Sequence, residues 1–147
     1  MFNRGIGRRE VGIGVAVVVV LVLIAIPFGM SASKKSKRNE VRDNVESLRI
    51  VEIEHRDAFG VFVTAKPAPR GPTEVTGEEI QWVPTEGFNS LSWAPKQEFV
   101  RASYAVVATG DGFKVIGTSD IDGDGKRAVI EATLDGEAHL VTDEGIY

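Results

Sequence analysis

Hydrophobic and polar positions follow three different patterns along this chain, and each pattern predicts a different kind of element. Between Val11 and Met30 there is no period at all: VGIGVAVVVVLVLIAIPFGM runs for twenty residues without a charge. As a helix rising about 1.5 Å per residue, it reaches roughly 30 Å, the hydrocarbon thickness of a bilayer. The run predicts a transmembrane apolar helix over 6–30, preceded by a short basic leader, 1–5. Pro27 should kink that helix or loosen one of its turns. Two other readings stay open: a buried core element, and the apolar part of a cleaved secretory signal ending at Ser31-Ala32-Ser33.

Apolar positions then recur every three or four residues. Val41, Val45, Leu48, Val51, His55 and Phe59 share one face, which predicts that an amphipathic helix continues over 31–60. The other faces are charged, and Glu52 with Arg56 has the spacing of an i,i+4 ion pair. Gly60 supplies a left-handed stop. His55 reads as a packed or hydrogen-bonded residue of the apolar face rather than a ligand or base.

Beyond the helix the pattern breaks. Residues 61–98 are dense in Pro, Gly and charge and predict a connecting loop region, with one short strand around 80–83. Trp82 and Trp93 read as anchors of this loop on the helix. From 99 onward, period-two alternation returns through Val100, Ala102, Tyr104 and Val106. Strands are expected over 99–108, 113–119, 127–134 and 137–142, with tight turns at Thr109-Gly110-Asp111-Gly112 and Asp135-Gly136. Short links dictate an antiparallel β-meander over 99–147. The predicted fold class is α+β: a long N-terminal helix packed against a small antiparallel sheet of about four strands.

Charge sharpens this picture. Residues 1–60 hold ten Lys/Arg against seven Asp/Glu, and residues 61–147 hold seven against fourteen. The basic end beside an apolar run suggests contact with a lipid bilayer. The acidic remainder argues against a nucleic-acid partner. There is no cysteine, which removes disulfides and thiol chemistry. No P-loop, HExxH or nucleophile elbow is present, so neither an enzyme nor a small-molecule substrate is expected.

One motif carries chemistry. Asp120-Ile-Asp122-Gly-Asp124-Gly125 stands between the second and third of these strands, with Glu131 at position twelve when Asp120 is position one. Alternating carboxylates in a tight loop can converge on a hard cation. The candidate ligands are Asp120, Asp122, Asp124, the backbone carbonyl near Lys126, and Glu131, and the candidate ion is calcium. The flanking strands and Arg127 argue against an EF-hand. A bare acidic turn, in which Asp and Gly only supply turn geometry, stays open beside the calcium site.

The N-terminal sequence resembles the N-terminal module of type IV pilins and pseudopilins. Leader residues Met1–Gly5, a new N-terminus at Ile6, Glu10 and Pro27 all fall in the family's register. The polar turn after the apolar run, the long helix and the acidic hairpin extend the resemblance over most of the chain. Gly7-Arg8-Arg9 departs from it, because the family is apolar there. The resemblance implies cleavage between Gly5 and Ile6 by a prepilin peptidase. It also implies assembly with other pilin or pseudopilin subunits through Glu10 and Pro27. Glu10 would pair with the freed amine of a neighbour, or Arg8 or Arg9 would neutralise it locally. The expected location is the inner membrane, single-pass, with an extracytoplasmic C-terminal domain, at the cell surface or in the periplasm once assembled. The alternative is a membrane-anchored calcium-binding or sensor domain that does not assemble.

Overall fold

The structure is a computed structural model, and it describes residues 32–147. Helix α1 (Arg8–Phe59) enters the description at Ala32. The leader, Ile6, Glu10, the Val11–Met30 run and Pro27 lie outside the described residues. Residues Lys34–Tyr147 form one compact unit. Among the described residues no helix is long and apolar enough to cross a membrane. The expected single-pass inner-membrane location is corrected on that finding: from Lys34 to Asp57 every turn of α1 carries charge.

The helix ends where its sequence says it should. Gly60 has φ +81°, and its N–H donates to Arg56 O at 2.7 Å, a left-handed cap. Then follow β1 (Ala65–Ala68), β2 (Ile80–Gln81), α2 (Glu86–Leu91), β3 (Phe99–Val100), β4 (Ala102–Ala108), β5 (Phe113–Ser119), β6 (Ala128–Thr133) and β7 (His139–Leu140). The main sheet is antiparallel with order β1-β4-β5-β6-β7, and β2 pairs with β3 in a second, two-stranded sheet. The fold is therefore α+β, with one long helix and a five-stranded antiparallel sheet. The predicted meander is β4 to β7. The expected strand over 99–108 is broken into β3 and β4. The expected loop over 61–98 contains β1, which extends the sheet to a fifth strand, and α2.

Val41, Val45 and Leu48 of α1 are buried, as are Val100, Ala102, Tyr104 and Val106. Small residues let the helix sit close to the sheet. A Cβ at Gly117 in β5 would lie 2.6 Å from Val45 Cγ2 and 3.0 Å from Val41 Cγ1. Ala102, Ala128 and Ala132 are buried as well. Asn44 joins the layers: its Nδ2 donates to Tyr104 OH and Gln97 Oε1 at 3.0 Å each, and its Oδ1 accepts from Lys96 N–H at 3.1 Å. Burial pushes the Tyr104 hydroxyl well above its ordinary range, so it stays protonated as a hydrogen-bonding group. Trp93 anchors its loop as expected, donating Nε1–H to Ser47 Oγ at 3.1 Å, with Trp82 edge-on to it at 5.5 Å.

The apolar stripe differs from its sequence reading in its last turns. Glu52 is fully buried, and its Oε2 accepts the Val63 N–H at 3.1 Å. It makes no ion pair with Arg56, whose guanidinium lies over the Phe62 ring. Phe59 is 72% exposed rather than in the core. His55 is half-buried, with Nδ1 3.0 Å from Val61 O and its ring against Phe59. The helix face turns from apolar contact to a single charged hydrogen bond because Val63 brings an unpaired N–H to that position.

Candidate metal site at the acidic hairpin

The link between β5 and β6 is short because Ser119 and Ala128 are the last paired residues on either side. Its reversal needs left-handed backbone, supplied by Gly123 at φ +68° and Gly125 at φ +84°. Asp120 is 4% exposed and organises the loop. Its Oδ1 accepts from Asp124 N–H and its Oδ2 from Gly125 N–H, both at 3.1 Å. Asp124 Oδ1 accepts from Lys126 N–H at 2.8 Å. These are Asx-type turns, the local chemistry that favours aspartate in such loops.

The carboxylates of Asp120, Asp122 and Asp124 converge, with one oxygen of each lying within 4.8 Å of the others. Asp122 and Asp124 are exposed. Three like charges at that spacing repel, and a cation placed among them relieves the repulsion. A carboxylate oxygen that accepts one N–H still has a lone pair to offer, so the turn's own bonds leave Asp120 able to ligate. The group could therefore hold a metal ion. Among the described residues no other such group of three occurs.

Of the remaining predicted ligands, Glu131 falls elsewhere. Glu131 stands within β6 opposite Ile116 and His139, and pairs with Lys114 Nζ at 3.1 Å. The twelve-residue spacing therefore does not bring it to the three aspartates, because an extended strand carries it away from the turn. Lys126 lies in the loop and is engaged through its N–H. Gly5, Ile6, Glu10 and Pro27 lie outside the described residues.

Three contacts at this loop were not read from sequence. Lys34 Nζ approaches Asp122 Oδ2 at 3.2 Å and supplies a local counter-charge. Gly77 passes close beneath, where a Cβ would meet Ile121 O at 3.1 Å. Ile121 N–H donates to Tyr147 O at 2.9 Å. Arg38 ties the same C-terminal stretch to α1 through Glu144 O at 2.7 Å and Ile146 O at 2.8 Å. No spacing rule couples positions this far apart in sequence; only the excess of Lys and Arg at 34–38 facing an acidic C-terminal half hinted at it. Comparison with known protein families, curated proteins and solved structures finds no match.

Proposed function

We propose that this chain is a structural subunit of the type IV pilin or pseudopilin kind, and that its work is assembly with other copies rather than catalysis. The observation that carries this is the one-sided burial of α1. From Arg38 to Glu52 a single face beds on the sheet, while Asn39, Asp43 and Ile50 on the opposite side are exposed. This helix follows directly, in sequence, an apolar run that keeps the pilin register of Gly5, Glu10 and Pro27. In this account a prepilin peptidase cleaves between Gly5 and Ile6. The apolar runs of neighbouring copies pack side by side, and Glu10 pairs with the amine freed on a neighbour. Burying a carboxylate among apolar helices is costly without such a partner.

The acidic hairpin takes calcium in this account. Its donors are all oxygen, no imidazole or thiolate belongs to the group, and oxygen-only sites suit hard cations. The same loop favours a second reading, a calcium-binding or sensor domain that works without assembling. Mass spectrometry of the chain produced beside an active prepilin peptidase separates the two. Loss of Met1–Gly5, leaving Ile6 first, supports the subunit; an intact Met1 on all of the chain contradicts it and leaves the non-assembling domain.

A further inference from the structure

The two flanks of α1's buried stripe carry opposite chemistry, and we propose that they are the two halves of a head-to-tail contact between copies of this chain. This contact deepens the assembly function proposed above and rests on it.

On one flank, Lys35, Arg38, Arg42 and His139, with the carboxylate of Glu144, surround a cleft of about 270 Å³ floored by Ile130 and Leu140. Arg38 is already committed to Glu144 and to backbone carbonyls. Arg42 spends only its Nε–H, on Ala138 O at 3.0 Å. Among the described residues neither Lys35 nor Arg42 has an ion-pair partner. Asp43, Glu46 and Glu137 line an adjoining hollow beside Arg42, and Glu46 there is held by Arg49 and Ala138 N–H. The cleft itself keeps the positive charge of Lys35 and Arg42.

On the other flank, Glu54, His55 and Phe59 open with Leu91 and Ser92 onto a groove of about 280 Å³. Glu54 is exposed and has no ion-pair partner among the described residues. Among the described residues Phe59 is the most exposed of the large hydrophobic ones, and Val61 and Ile50 nearby are also exposed. Arg56, the one cation in this turn, is turned onto the Phe62 ring.

At about 100° and 1.5 Å per residue, Lys35 and Arg42 lie on one side of the Val41–Val45–Leu48 stripe and Glu54 with His55 on the other, roughly 25 Å apart along the axis. Each is unsatisfied alone, and each complements the other: acid with exposed apolar surface at one end, base with an apolar floor at the other. A contact that uses a different patch on each copy is heterologous. It cannot close in a pair, so it propagates. Covering Phe59 drives the contact, and the charges fix its register.

The test uses the full chain, pelleted over a concentration series. Lys35→Glu with Arg42→Glu, and separately Glu54→Lys, each set like charges against one another. Each variant should raise the concentration needed for assembly at least about tenfold, as expected when like charges face one another across a contact. Mixed in equal amounts, the two variants should assemble again within a few-fold of the unmodified chain, because every junction of an alternating polymer is then complementary. Misfolding of either variant gives no such rescue. Normal assembly of both variants alone, or loss without rescue on mixing, overturns this contact while leaving assembly itself standing. An unmodified chain that never assembles overturns both.

Discussion

Replacing Gly117 by alanine inserts one methyl group where α1 meets the sheet most closely. The added Cβ would stand 2.6 Å from Val45 Cγ2 and 3.0 Å from Val41 Cγ1. Carbon atoms in good contact are about 3.5–4.0 Å apart, so the nearer overlap is close to 1 Å. Neither neighbour yields easily, because a valine in a helix has essentially one χ1 rotamer. The helix must lift from the sheet or the strand must shift, and overpacking of this kind costs about 1–3 kcal/mol. Val45 is fully buried, so Val45→Ala on its own loses burial worth about 2 kcal/mol. Together the two changes exchange methyl groups across the same gap. The double variant should be more stable than the sum of the single effects by about 1 kcal/mol or more, within the range seen for contacting residues. Urea titration of the Lys34–Tyr147 unit, followed through Trp82 and Trp93, measures all four corners of the cycle. A Gly117→Ala cost below about 0.5 kcal/mol, or additivity within about 0.3 kcal/mol, would show that α1 does not lie against β5 at this point.

Glu52 should give a pH signature. Burial raises its carboxyl above the ordinary range, against the opposing pull of the Val63 N–H and His55. A raised folded-state value means that Glu52 favours the fold below the ordinary carboxylate range, and that this contribution is lost as pH rises through the raised value. Glu52→Gln should flatten that decline, measured by urea midpoints from pH 4 to pH 7; part of the slope persists because Glu40 shifts in the same direction. Curves for variant and unmodified protein that stay parallel over the whole range would refute the assignment. In the hairpin, Asp120→Ala strips the acceptors from two backbone N–H groups and should cost about 1–3 kcal/mol even in chelator. Asp122→Ala with Asp124→Ala should cost little in chelator but abolish stabilisation by calcium, which reaches about 2.7 kcal/mol at a hundred times the Kd. Identical melting with calcium and with chelator would mean the loop is only a turn.

Local signals were readable in this sequence wherever the chemistry is local. Gly60 ends α1, Thr109–Gly112 and Thr133–Gly136 close tight turns, and β5 has its expected limits. The Val100–Val106 alternation names buried residues correctly because a half-buried strand has period two. What stayed hidden depends on partners distant in sequence. β1 contains Pro67 and reads as loop, yet it pairs at the sheet edge with β4, where a missing N–H is tolerated. The six-residue α2 is too short for periodicity to reveal, and its buried Phe88 and Leu91 are what hold it. Glu52 reads as surface because it is charged; it is buried because Val63 returns an N–H to it. The three aspartates were legible as a cluster from their alternation alone. The separation of Glu131 from them was not, since the same spacing converges in a helix-flanked loop and diverges in a hairpin.

Assembly is the central claim, and it can be seen directly. Material sheared from cells that produce the full chain together with an active prepilin peptidase can be imaged by negative-stain electron microscopy and labelled with antibody raised against the Lys34–Tyr147 unit. The account predicts filaments decorated along their length, containing chains that begin at Ile6. Under the same production, a chain found only as unassembled monomer, with no decorated filament, would contradict it.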